Sequence, residues 1–475
     1  MDTNLFYSKD TNLSKNLWLA GGILLAAFFG WLIARMGMAI GALIIILPFI
    51  FGFLALVFLY PKIGFITFIF YCFLNSTLGK HIDGPQFGLG QDGILLLTWL
   101  GVIFYRNNKY RLRHLNNDLV WMAVTWFIIT VIQIANPERP SITGWFYEMR
   151  SATLYWVLSV PLAFLVFNKK SDIDLFLVII ITLSFLGALY GIKQLYLGVD
   201  AAENRWLEAG AKKTHLLFGK LRVFSFYSEA GQFGASQAHL TVVCLILAMG
   251  PYAKFKKLWY GTAALIIFYG MLISGTRGAL FALVGGIFVY LIVSKRMQIL
   301  LLGGIIGFLF FFVLKYTSIG SGNEQIVRLR TSLDPNDPSL LTRFNNQAIL
   351  KDYLSTKPFG AGVGTIGMWG LKYNEDKYIS TIPPDSLYVK VWAMYGIVGF
   401  IIWFGIMMYI TGYSIGIIWK TKDPALHNKL TALCAGATGI LLCSYGNEVL
   451  NAMPSSAIVY VSWALIWMSP RWDTK

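Results

Sequence analysis

Three arginines carry the clearest chemical signal in the chain. Arg222 opens the stretch Arg222-Val-Phe-Ser-Phe-Tyr-Ser-Glu229 ahead of an apolar run. Arg277 sits in Ser274-Gly-Thr-Arg277-Gly between two apolar runs, and Arg343 lies in a long polar segment. A guanidinium stays protonated near neutrality and its planar fork offers two parallel N–H bonds to a phosphate. Side chains of this type converging on one point would hold an anion. A second anion-binding signal is Phe359-Gly-Ala-Gly-Val-Gly364, where Gly362 is the middle of three alternating glycines that let backbone N–H groups come close to a ligand. A plain turn has the same composition.

The elements that position these groups belong to a membrane. Of 475 residues, 56% are hydrophobic and 13% are charged, with mean hydropathy +0.62. Soluble domains carry about 25% charge, so a single soluble core is excluded. The 35 Phe, 24 Tyr and 16 Trp exclude a disordered chain. Roughly fourteen runs are long and apolar enough to cross a bilayer. They lie near 17–34, 37–60, 63–78, 88–105, 118–135, 151–168, 174–197, 228–250, 257–274, 278–294, 298–315, 397–419, 428–448 and 454–469. The first run leads straight into the second with no small-residue cleavage site, so it reads as a span rather than a leader. The four cysteines all sit in apolar runs without a CxxC pair and read as small buried hydrophobes.

The net charge of +16 would point to nucleic acid in a soluble protein. Here it reads first as the basic excess of cytoplasmic loops. With both termini inside, the inner loops receive Lys62, then Arg106, Lys109, Arg111 and Arg113, then Lys169 and Lys170. Lys254, Lys256, Lys257, Lys295, Arg296, Lys420, Lys422 and Lys429 follow on the same side. Arg222 and Arg277 then fall in outer loops, where the rule disfavours them. Positive charge kept at such a place is a candidate for anion binding.

A segment of about seventy residues, 316–386, is far longer than ordinary connections. Asp337 and Pro338 read as the cap and first residue of a helix. Leu340, Leu341, Phe344, Ala348, Tyr353 and Leu354 make its apolar stripe, and it stops before Pro358. Such a helix lies on the outer membrane surface, with Arg343 about one turn in. Asp385 in Pro383-Pro384-Asp385-Ser386 precedes a second short amphipathic helix, which leads to Gly396-Ile-Val-Gly399 and the next span. The expectation is an all-α polytopic membrane protein with roughly 12–14 spans. Residues 1–315 carry the first eleven, 316–396 form the outer segment with its interfacial helices, and 397–475 carry the last three.

Four patches together resemble the O-antigen ligase and O-antigen polymerase superfamily of bacterial membrane glycosyltransferases. They are Arg222 to Gly234, Ser274 to Ala279, Arg343 through Pro358-Phe-Gly-Ala-Gly-Val-Gly, and Asp385-Ser386-Leu-Tyr388 leading to Gly396. The resemblance implies a GT-C-like membrane enzyme of the inner membrane, with its active site on the periplasmic face. Its donor would be an undecaprenyl-pyrophosphate-linked oligosaccharide and its acceptor a glycan or lipid A–core. Arg222, Arg277 and Arg343 would hold the pyrophosphate. The chemistry would be inverting and metal-independent, with fixed arginines in place of a divalent ion, without a cofactor and without nucleic acid. Asp385 and Glu229 are the candidates to accept the proton of the attacking hydroxyl. Asp385 could equally cap the following helix, and Glu229 could pair with Arg222 along a helix face. Tyr227, Gln232 and Tyr388 are weaker candidates for sugar or phosphate contact, or simply interfacial side chains.

The family pattern places a His-Asn pair where this chain has Asp385 and Ser386, and its five histidines all lie elsewhere. That departure tilts the reading toward a polymerase. A ligase acting on lipid A–core stays open, as does a flippase for lipid-linked oligosaccharide. The flippase class ordinarily shows paired halves and midplane charge.

Overall fold

The computed structural model describes residues 7–36, 38–82, 84, 86–104, 110, 112–217, 219–294, 304–305, 308–309, 312–313, 315–319, 327, 330, 336 and 338–473. Its elements are nearly all helical, because a chain in hydrocarbon must bond each N–H and C=O within its own segment. The chain is an all-α polytopic membrane protein. Among the described residues seven helical stretches are long and apolar enough to cross a bilayer, with three shorter apolar ones besides. Every expected run except that near 298–315 coincides with a described helix. That run lies partly outside the described residues, as do Arg106, Lys109, Arg111, Lys295, Arg296 and the cap residue Asp337.

The chain divides into two units. One is Met1–Gly64 with Leu97–Arg106. It holds α1 (Tyr7–Met36), α2 (Met38–Leu59), the start of α3 (Pro61–His81) and the end of α4 (Gly88–Ile103). The apolar stretch Lys15–Leu32 of α1 is wholly unburied, as a helix facing lipid would be.

The second unit is Phe65–Leu96 with Asn107–Lys475. It continues with α5 (Asp118–Ile132), α6 (Ile142–Met149), α7 (Tyr155–Val166), α8 (Ser171–Tyr196), α9 (Ala201–Trp206) and α10 (Lys212–His215). A hairpin follows, β1 (Leu216–Leu217) against β2 (Lys220–Leu221). Then come α11 (Ala230–Ala248), α12 (Lys254–Ile273), α13 (Ala279–Ser294), α14 (Pro338–Leu354), α15 (Gly367–Tyr373), α16 (Leu387–Lys420), α17 (Pro424–Cys443) and α18 (Ser455–Met468). Helix α11 is the hub, packed against α8, α12, α13 and α17. Small residues make this possible, because in a membrane they let backbones approach. A Cβ on Gly234 of α11 would stand 2.3 Å from Oγ of Ser274, and one on Gly439 of α17 would stand 2.4 Å from the carbonyl of Ala282.

Two helices depart from expectation. The span expected at 151–168 begins earlier, as one helical stretch from Ile142 to Val166, in which a π-turn at Arg150–Leu154 joins α6 to α7. Helix α16 runs through both the short amphipathic piece and the span, but breaks at Gly396 (φ 68°, ψ −173°). The break strands the carbonyls of Ala393 and Met394, and the glycine segment supplies what they lack. Ala361 N–H donates to Ala393 at 2.9 Å and Gly362 N–H to Met394 at 3.1 Å, while Val398 N–H turns to the carbonyl of Pro358 at 3.3 Å. A non-helical segment thus mends a broken helix. A Cβ on Gly396 would come within 2.0 Å of that Pro358 carbonyl, so the contact demands glycine.

Candidate functional site

The turn Ser444–Glu448, between α17 and α18, gathers the groups of interest. Cys443 Sγ approaches the carbonyl of Gly278 at 3.1 Å, which sets the Arg277–Gly278 loop beside the turn. A Cβ on Gly446 would stand 3.7 Å from Nη1 of Arg343 and 3.9 Å from Cα of Gly278. Leu387 N–H donates to Ser444 at 2.9 Å, which brings the Asp385 corner to the same place. Arg222 reaches toward Arg277 from another side. Its Nη2 donates to Thr276 Oγ1 at 3.1 Å and its Nη1 to the carbonyl of Thr214 at 3.0 Å. The segments bearing all three arginines therefore meet at one end of the α11–α13–α17 bundle.

Local chemistry holds Arg222 and Glu229 in register. His215 ends α10, and its Nε2 accepts the N–H of Ala230, the first residue of α11, at 3.2 Å. Its Nδ1 therefore carries the proton and donates to the carbonyl of Ala211 at 3.1 Å. The backbone of the same histidine accepts Arg222 N–H at 2.7 Å. Burial pushes the imidazole down to about 4, so it stays neutral, as an acceptor at a helix start must.

Glu229 is the N-cap residue of α11, in extended conformation. Its side chain keeps an exposed surface while protein crowds its other sides. That crowding raises the carboxyl above the ordinary carboxylate range. Arg222 pulls it back, Glu448 pushes it further up, and a hydrogen bond with Asn447 pulls it down again. Residues 222–229 precede the helix, so Arg222 and Glu229 do not share a helix face, and the guanidinium charge acts on the carboxyl across a loop.

Asp385 is exposed and takes a left-handed backbone (φ 50°), a region that Asp tolerates better than most residues. The helix cap expected of it belongs to its neighbour: Ser386 Oγ accepts from Val389 N–H at 3.5 Å. Asp385 is thereby left free of the capping role.

The weaker candidates are placed differently. Tyr227 is buried, with its ring against Phe73, Phe226 and Phe233 and its carbonyl taken by Lys80 Nζ at 2.5 Å. Gln232 is buried too, its Nε2 donating to the Ala452 carbonyl and to Ser455 Oγ, both at 3.0 Å. Tyr388 donates to the Leu441 carbonyl at 3.2 Å and packs edge-on to Trp403. Gly362 calls for a correction. Its N–H and that of Ala361 are consumed by the broken helix, and a Cβ there would stand 2.9 Å from Pro140. The glycine segment is a structural brace rather than an anion cradle.

Reading by residue type alone overlooks Lys390. Its Nζ lies 2.9 Å from Glu148 Oε2 and 2.7 Å from Glu448 Oε2, with the lysine 7% and Glu148 1% exposed. The available signal was charge within long apolar stretches, which is rare and costly unless paired. A cation shared by two carboxylates ties α6, α16 and the Ser444–Glu448 turn together. Lys390→Met would leave buried Glu148 uncompensated, and the expected loss is about 3–5 kcal/mol. It is read as a fall in melting temperature in detergent that adding Glu148→Gln partly reverses. An unchanged melting curve would dispose of this tie.

Residues 262–404 match the family model described as O-antigen ligase. This segment is similar to the O-antigen ligase and polymerase superfamily. It takes in Arg277, Arg343, the glycine brace, Asp385 and the break of α16, while Arg222, Glu229 and the Ser444–Glu448 turn lie outside it. No curated protein matches the chain. The family likeness and the apolar helices support an integral membrane protein of the bacterial inner membrane with glycosyltransferase-type activity, for which a lipid-linked glycan and an acceptor are the partners in general.

Proposed function

We propose that the chain moves a glycan from an undecaprenyl-pyrophosphate donor to an acceptor hydroxyl at the periplasmic face, in the assembly of surface polysaccharide, as a polymerase. Both termini then lie in the cytoplasm and residues 316–396 outside. The observation that carries the proposal is the meeting of the Arg222, Arg277 and Arg343 segments around the Ser444–Glu448 turn, with Glu229 beside them. The acceptor oxygen attacks the anomeric carbon from the face opposite the pyrophosphate, so configuration inverts. The sugar–oxygen bond to the diphosphate breaks, and its electron pair leaves on the phosphate oxygen. Guanidinium groups neutralise that growing charge without a metal ion. Glu229 takes the acceptor's proton, favoured by a carboxyl pKa raised toward neutrality. Asp385, projecting from its corner, orients the acceptor.

The ligase reading keeps one support of its own, the description of the matched family. The absence of histidine at Asp385 supports the polymerase. The deciding experiment incubates purified protein with lipid-linked repeat units, with and without lipid A–core, in the presence of a chelator. A ladder of products is the expected outcome, and transfer to lipid A–core would assign the ligase instead. The absence of any product, with metal supplied as well, would remove the glycosyltransferase and favour the flippase. Asp385→Asn is expected to lower turnover about 10- to 100-fold, the worth of one hydrogen bond to a charged group, with donor binding kept. Full activity in that variant would leave the corner a purely structural role.

A further inference from the structure

Tyr147 of α6 and Trp369 and Tyr373 of α15 form an aromatic stack that the transfer chemistry above does not use. Tyr147 and Trp369 have centroids 4.6 Å apart with planes at 16°. Tyr147 and Tyr373 lie 5.7 Å apart at 3°, and Trp369 and Tyr373 lie 6.0 Å apart at 17°. Each ring is only half-buried, so the stack keeps accessible surface that a core cluster would have hidden.

The stack stands on a rigid base. Asn374 Nδ2 donates to the Gly364 carbonyl at 2.9 Å, and its Oδ1 accepts Ser141 N–H at 2.8 Å. A Cβ on Gly144 would come within 2.9 Å of that same amide. Helices α6 and α15 are thereby fixed side by side, and the rings need no rearrangement to receive a ligand.

Two cations lie over the stack, Arg150 Cζ 5.9 Å from the Tyr147 ring centroid and Lys372 Nζ 5.3 Å from that of Tyr373, and a buried charge cluster lies near the start of α15. Tyr147 precedes Glu148 in sequence. Gly367, two residues before Trp369, has Lys390 Nζ 3.5 Å and Glu448 Oε1 3.9 Å from where its Cβ would stand. Glu448 gives one oxygen to Lys390 at 2.7 Å and remains 34% exposed. A flat apolar face with a half-exposed carboxylate near the start of the same helix suits a pyranose ring. The C–H bonds of one sugar face lie on the positive-seeking face of an aromatic ring, and the equatorial hydroxyls donate to the carboxylate. Aromatic residues of a membrane belt sit at headgroup depth with polar tips outward, which does not account for the parallel stacking.

We propose that the Tyr147–Trp369–Tyr373 stack, with Glu448 near Gly367 at the start of α15, is a saccharide subsite that holds a sugar ring of the transferred or accepting glycan. This rests on the glycan-transfer reading, and its test separates the two. Binding to the full-length protein in nanodiscs is measured for three probes: the glycan-bearing undecaprenyl-pyrophosphate donor, undecaprenyl pyrophosphate without glycan, and the free oligosaccharide. Trp369→Leu keeps apolar bulk but removes the ring face, and Trp369→Tyr restores a ring. The Leu variant is expected to bind at least one glycan-bearing probe about tenfold more weakly, the scale of one aromatic stacking contact. Binding of the glycan-free lipid stays unchanged, and the Tyr variant recovers most of the loss. The probe that weakens tells donor glycan from acceptor glycan. Equal weakening of all three probes, or of none, would overturn the subsite while leaving the transfer reading intact. Wild-type protein that binds none of the probes would overturn both.

Discussion

Glu229→Gln is expected to lower turnover about 10²–10⁴-fold, the range of general-base assistance, while donor binding persists. The isosteric amide keeps its hydrogen bond to Asn447 and loses only the ability to take a proton. The pH dependence follows from the direction of the shift. The folded carboxyl titrates above the ordinary carboxylate range because of crowding and Glu448, despite Arg222. Wild-type activity therefore falls as pH drops through that raised value, and the residual activity of the variant lacks this limb. The effect on stability runs the other way. The folded state binds this proton more tightly than the unfolded chain does. Its stability contribution is thus complete below the ordinary carboxylate pKa and is lost as pH rises through the raised one. Glutamine has no such loss, so the variant melts at or above the wild-type temperature at neutral pH. Full turnover, or an acid limb that survives the substitution, would take the role from Glu229 and leave it to Asp385.

Arg277→Ala is expected to cost about 10²–10³-fold in turnover, the effect of removing one preorganised donor from a site of developing negative charge. The loss falls on the chemical step more than on donor affinity, because the charge to be neutralised is greatest in the transition state. Arg277→Lys recovers only part of it, since an ammonium cannot reproduce a planar two-bond contact with phosphate. The assay is the product ladder from lipid-linked repeats, supported by surface glycan on a gel from cells carrying only the variant. Undiminished chain length and amount would remove Arg277 from the pyrophosphate. The same substitution at Arg343 tests whether the approach of its Nη1 to Gly446 serves chemistry or only docking of α14.

Some misreadings share one cause. The span expected from residue 151 begins at Ile142 because hydropathy penalises Glu148 and Arg150, whose charges are neutralised by partners distant in sequence. Arg150 Nη2 lies 2.5 Å from Asp92, and Glu148 meets Lys390. The glycines of 360–364 were legible as places where backbone comes close to something. Spacing could not say that this something was the broken helix at Gly396, since the use of an N–H depends on what packs against it. Asp385 was legible as a charged residue at a helix start, but whether it or Ser386 supplies the cap is decided by backbone angles.

The amino-acid sequence alone determined that the chain is a helical membrane protein and where most of its helices lie. Those properties follow from local transfer energies and helix signals, which each segment carries by itself. It also held the family likeness, since short patches in a fixed order survive as text. Only the tertiary structure decided that the segments bearing Arg222, Arg277 and Arg343 meet at one end of one bundle, that Lys390 binds two glutamates, and that three aromatic rings of α6 and α15 stack. Contacts between residues far apart in the chain depend on how glycine-lined helices close on one another, and no window along the chain contains that information.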